Sequence, residues 1–256
     1  DIHTQNVSTF AEYGTTIHTG KHTPMWQNSN QHGLSSIKNN TYIRGAAFYN
    51  KNFHSWQLKA GADFAVAAGF TSTFIIIQQA YADIRYKWFG LWAGNKEIDS
   101  SLLNQQLSSG GLTWSGNARP IPQIAIGIFD YVRIAPKVQL KAELSYGWFT
   151  DTKYQEKHVG DEHSYTRKIK YHHKSFFLRF GKPEGKWLFD IGMSLDAQFG
   201  GYKVRGRDEG DLGNGWKDYW NVLIPQSGGD DSPGGEQVWY QGNYMGSEHV
   251  KLTYKH

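Results

Sequence analysis

The segment KVQLKAELSYGW, residues 137–148, alternates without a break. Val138, Leu140, Ala142, Leu144, Tyr146 and Trp148 fall on one side of an extended chain. Lys137, Gln139, Lys141, Glu143, Ser145 and Gly147 fall on the other. A period of two belongs to a strand with two unlike faces; a helix repeats every three to four residues. The pattern returns at Trp56, Leu58, Ala60, Ala62, Phe64 and Val66, and at Trp187, Phe189, Ile191, Met193, Leu195, Ala197 and Phe199. It returns again around Ile76, Ala80, Ala82, Ile84, Tyr86 and Trp88, and in weaker form over 7–17, 42–49, 91–98, 123–132 and 175–181. The chain is all-β.

Several of these strands run to about a dozen residues, against about five or six in soluble sheets and roughly 9–11 for a tilted transmembrane strand. Large aromatics mark strand ends at Trp56, Trp88, Trp148, Trp187 and Phe199, where an interfacial girdle falls. Length and aromatics together predict an antiparallel transmembrane β-barrel of the outer membrane.

Loop lengths add a parity test, because such barrels alternate short periplasmic turns with long outer loops. Long outer loops are expected at 20–40, 150–173 and 200–248, and short turns at 50–54, 89–90, 134–136 and 182–185. The parity holds only if 99–121 crosses nothing and returns to the side it left, as an outer excursion or as a loop folded inward across the lumen. That segment contains SSGGLTWSGNARPIPQIAIG (108–127), whose glycines and Pro120 and Pro122 exclude a helix. The count is nine spans and the start of a tenth near His249, in one domain over 1–256.

Composition narrows the rest. The chain has 256 residues, no cysteine and 39 aromatics as ten Trp, fifteen Tyr and fourteen Phe, so no disulfide scaffold or thiolate metal site is available. Net charge of +4 is spread along the chain and leaves no nucleic-acid footprint.

Four groups of residues could carry chemistry. Asp63, Asp83, Arg85, Lys87, Lys141, Glu143, Arg179, Asp190 and Asp196 lie on the polar strand faces and are expected to line a lumen, paired across it. RGRDEGDLGNGWKDYW (205–220) brings Asp208, Asp211 and Asn214 together with Trp216, Tyr219 and Trp220. Its spacing is not that of a Ca²⁺ loop, whereas aromatic faces beside carboxylates and amides suit sugar rings. His158, Asp161, Glu162, His163, His172 and His173 form a polar cluster without a HExxH pattern. Asn117 and Arg119 on the in-folded segment could line the lumen and touch a ligand.

LSSGGLTWSGNARPIPQIAIG (107–127) resembles the signature stretch of the capsule assembly Wzi family, in the form found in Bacteroides-like bacteria. TPMWQNSNQHGL (23–34), HKSFFLRFGKP (173–183) and SGGDDSPGGEQVWYQGNYMGS (227–247) are similar to further stretches in the same order. The resemblance implies an eighteen-stranded outer-membrane barrel of which this chain is the N-terminal half. It implies a non-catalytic binder of capsular or other surface polysaccharide, embedded in outer-membrane lipid as a monomer, with no cofactor and no metal. The rival classes are a porin, an omptin-like outer-membrane protease and a secreted glycan-binding sandwich.

Overall fold

The computed structural model describes residues 6–255 apart from 22–23, 36–37, 71–73, 99–101, 105–106, 109, 161–162, 207–208 and 227–241. Ten long strands form one antiparallel sheet. They are β1 (Val7–Thr16), β2 (Asn40–Phe53), β3 (Trp56–Ala68), β4 (Ile75–Tyr86), β5 (Phe89–Asn95), β6 (Gln123–Ala135), β7 (Val138–Trp148), β9 (Lys170–Phe180), β10 (Trp187–Phe199) and β13 (Asn243–Tyr254). The order follows the chain as a meander, and β1 and β13 are its two edges. A second sheet of three short strands, β8 (Tyr165–Arg167), β11 (Tyr202–Val204) and β12 (Gly210–Asp211), ties the segments after β7 and β10 together. Three short helices complete the fold: α1 (Met25–Asn28), α2 (Thr152–Val159) and α3 (Trp216–Leu223). Among the described residues no helix is long and apolar enough to cross a membrane, which says nothing of strands.

The long sheet is inverted relative to a water-soluble one. Asp63, His172 and Asp190 are fully buried, the two carboxylates on the inner face and His172 on the outward one. Asp63, Asp83, Asp190, Ser194 and Asp196 point to the inner face, which the segments after β1 and β5 cover. The outward face carries Ile43, Phe64, Val66, Ile84, Ile124, Phe176, Ile191, Met193, Val250 and Leu252, all exposed, Val250 to 67%. Soluble domains place these residue types the other way round.

Ionic networks stabilise the inner face. Arg44 donates from Nε to Asp63 Oδ1 at 2.9 Å and reaches Glu97 Oε1 at 2.8 Å. Gln79 Nε2 adds a third donor to Asp63 at 3.2 Å. Asp83 is held by Arg85 at 3.1 Å and Lys96 at 3.0 Å, and Asp190 by Arg179 at 2.6 Å. A carboxylate this deeply buried needs such partners, because an unpaired buried charge is strongly destabilising.

Several sequence expectations change. Lys87 is not on the inner face: it sits exposed with φ +54° in the two-residue turn 87–88 joining β4 to β5, two residues before the expected 89–90. Positive φ at that position is what such turns require. Phe199 leaves the girdle, being 3% exposed beneath α3. The tenth strand starts at Asn243 rather than near His249 and pairs with β10 along its whole length. Strand β9 begins at Lys170, so His172 and His173 belong to it and not to a loop. The 20–40 segment also turns inward: Leu34 packs with Tyr42, Ala65, Ala67 and Ile76 in the buried cluster of that end.

Candidate functional site

The segment 99–121 forms no strand in its described residues and lies across the inner face. Contacts fix its path. Thr113 Oγ1 is 3.4 Å from both Ser194 Oγ on β10 and Ser247 Oγ on β13. Trp114 Nε1 donates to Ile98 O at 2.9 Å. At the far side, His32 N donates to Gly116 O at 2.6 Å, Asn30 N to Asn117 Oδ1 at 2.8 Å, and Asn30 Nδ2 to Ser108 O at 3.0 Å. Gln78 Nε2 on β4 then donates to His32 O at 3.0 Å. This chain of contacts runs from β13 to β4, so the segment links strands far apart in the order of the sheet.

Two cavities flank Trp114. The larger, about 270 Å³, is lined by Trp114, Tyr171 and Phe149 as aromatic walls, with Arg119, Asp196, Gln198 and Asn243 as polar groups. The smaller, about 70 Å³, is lined by Trp114 with Lys141, Glu143, His173 and His249. The walls are pre-set. Tyr171 stands edge-on to Phe149 at 5.9 Å and 6.0 Å from Trp114. Asp196 Oδ1 accepts from His173 Nδ1 at 2.9 Å and from the Tyr171 hydroxyl. Arg119 packs its side chain over Gly33, where φ is +75° and an added Cβ would come within 2.5 Å of Arg119 Cγ. Burial pushes the Arg119 guanidinium down, yet an arginine stays charged at neutral pH. Rigid aromatic faces with a few placed polar groups form the kind of site that takes a small polar ring.

Other candidates disperse. Asp211 organises its own turn, accepting from Gly213 N at 2.7 Å and Asn214 Nδ2 at 2.6 Å, while Asn214 bonds Gly201 reciprocally. Tyr219 is packed, with Phe199 5.2 Å away and Lys170 Nζ 4.5 Å above its ring. Trp216 and Trp220 are exposed on α3, which rests on the outward face of the sheet and not over the cavity. Asp208, Asp161 and Glu162 lie outside the described residues. The histidines separate: His158 is on exposed α2, His172 is buried on the outward side, and His173 points inward to Asp196. His163 remains on the segment between α2 and β8. Among the described residues no three His, Cys, Asp or Glu side chains gather as a metal site.

Sequence reasoning missed Tyr171, Phe149, Gln198 and Asn243. Trp114 was visible as the aromatic inside the Gly-rich segment, and Asp196 as a polar-face residue. Nothing local in the sequence joins these positions, which come from the residue after β7, from β9, β10 and β13, and from the in-folded segment.

Compared with known proteins, the chain matches no family model, no curated protein and no solved structure.

Proposed function

We propose that the chain forms the wall of an outer-membrane β-barrel that holds capsular or other surface polysaccharide at its long-loop end, without catalysing a reaction. The observation that carries this reading is the inverted sheet. Leaving each large apolar side chain in water forfeits about 1.5–3 kcal/mol of burial, whereas hydrocarbon accepts it freely. The strands, of 10 to 14 residues apart from the 7 of β5, have the length such a span needs. At the short-turn edge Trp56 lies tilted against Tyr86 at 4.8 Å and Trp187 against Tyr254 at 4.7 Å, as a girdle would. The edges β1 and β13 need strand partners in lipid, and the eighteen-stranded closure implied by the Wzi resemblance supplies them.

Polysaccharide is favoured over an open channel because the segments 20–40 and 99–121 occupy the inner face and leave an aromatic-walled cavity rather than a pore. Weak individual contacts suffice along a repeating polymer, since repeats raise avidity. Arg119→Gln and Asn243→Ala test the site on cells and on purified protein in detergent. Arg119→Gln removes a charged donor, worth about 1.5–3 kcal/mol or roughly tenfold or more in affinity, and Asn243→Ala a neutral one, worth about 0.5–1.5 kcal/mol. Retained polysaccharide should fall while the amount of folded protein stays constant. Unchanged retention in the double variant would remove this cavity as the site.

A further inference from the structure

Helix α3 is seated on the outside of the sheet. Gly215 opens it, with its N–H donating to Asp218 Oδ2 at 2.6 Å, and Pro225 follows its end. Its seated side presents Tyr219 and Val222 to Tyr146, Ala197, Phe199 and Tyr244. Strand parity makes this the outward face. Ala197 and Phe199 alternate in unbroken register with Ile191 and Met193, opposite in sense to Asp190, Ser194 and Asp196. Lys174 Nζ fastens the helix end from the same side, donating to Leu223 O at 2.5 Å.

The other side of α3 is apolar and open. Trp216, Trp220 and Ile224 follow at intervals of four, and Trp216 is 90% exposed. At 3.6 residues per turn the three fall within a stripe of about 80°. Asn221 and Val222 are buried on the seated side, while the large apolar side chains Trp216, Trp220 and Ile224 are exposed. A helix whose outer side faced water would carry the opposite arrangement.

We propose that this stripe docks on the headgroup region of the lipid leaflet at the long-loop end, so that α3 is an interfacial anchor on the outside of the barrel. The proposal rests on the outer-membrane reading given above. Continuity supports it: Trp148 and Met193 are exposed on the outward side of the same strands, so the stripe extends an apolar surface already present. Its chemistry fits as well. Indole rings suit the polar–apolar boundary, and Lys217 beside them suits lipid phosphate. The spacing fits too. Ten residue steps separate Val138 from Trp148, roughly 33 Å of strand, or about 23–27 Å along the normal at a tilt of 35–45°. An apolar band is about 25 Å tall. The short-turn girdle then has its counterpart in Trp148 and α3.

The test uses the protein in nanodiscs of lipid brominated at a shallow or a deep acyl position, read by tryptophan fluorescence. The Trp216→Phe, Trp220→Phe double variant leaves the seated side of α3 intact, and the difference from the parent isolates the two indoles. A bimane label on Ile224→Cys reads the same stripe independently. The difference signal should be quenched more by shallow than by deep bromine and little by aqueous iodide. Quenching by iodide alone, while the remaining tryptophans still respond to bromine, overturns the anchor and leaves the membrane reading standing. No bromine quenching of any tryptophan overturns both. A loss of polysaccharide affinity in the double variant, with iodide-accessible indoles, would instead make the stripe a sugar platform and overturn the anchor.

Discussion

Asp63 illustrates what the inner residues do. It is fully buried and bonded by Arg44 and Gln79, and Arg44 also reaches Glu97. Asp63→Ala leaves the guanidinium short of its nearest counter-charge. Breaking a buried pair from one side costs about 3–5 kcal/mol, so urea unfolding in vesicles should show a loss of that order. Lys87→Ala, in an exposed turn, should stay within about 0.5 kcal/mol. Equal effects of the two would mean that the inner face is as wet as the turn. Gly33 gives a second test. A side chain there would strike Arg119 Cγ at 2.5 Å. Gly33→Ala should therefore shift Arg119 and lower polysaccharide affinity while leaving the strands folded by circular dichroism. Unchanged affinity would mean that Arg119 does not depend on that seat.

At the scale of elements, the in-folded segment and α3 matter most, and the sequence disclosed them unequally. The strands were legible because their outward and inward residues differ so sharply that a period of two survives in the chain. Loop parity showed that 99–121 crosses nothing, and Pro120 and Pro122 that it is redirected into the strand that follows; parity alone does not separate an outer excursion from the inward course. Strand β9 was legible only from residue 175, because Lys170, His172 and Lys174 put polar groups on its outward side under α3, where apolar residues were expected. Phe199 read as a girdle residue because its partner Val222 lies in a separate helix far along the chain. The sugar-binding role expected of Trp216, Tyr219 and Trp220 came from composition, which carries no information about the face on which a helix settles. Trp114 is the peg of the in-folded segment, through Ile98 and the ring of Tyr171. Trp114→Ala should loosen that segment and raise ion conductance in planar bilayers above the parent's. Conductance equal to the parent's would place the closure of the inner face elsewhere, in the 20–40 segment.

For the whole molecule, everything depends on which medium meets the outward face. The chain has no cysteine, so single nitroxides can be placed one at a time along β10. The strand is paired on both sides without a register shift, which keeps its alternation clean. In reconstituted vesicles, labels at 189, 191, 193 and 195 should collide strongly with oxygen and weakly with a water-soluble nickel chelate. Labels at 190, 192 and 194 should be shielded from both. Oxygen and nickel accessibility both peaking at the odd positions would put water, not lipid, against Phe189, Ile191 and Met193, and would contradict a membrane-spanning wall.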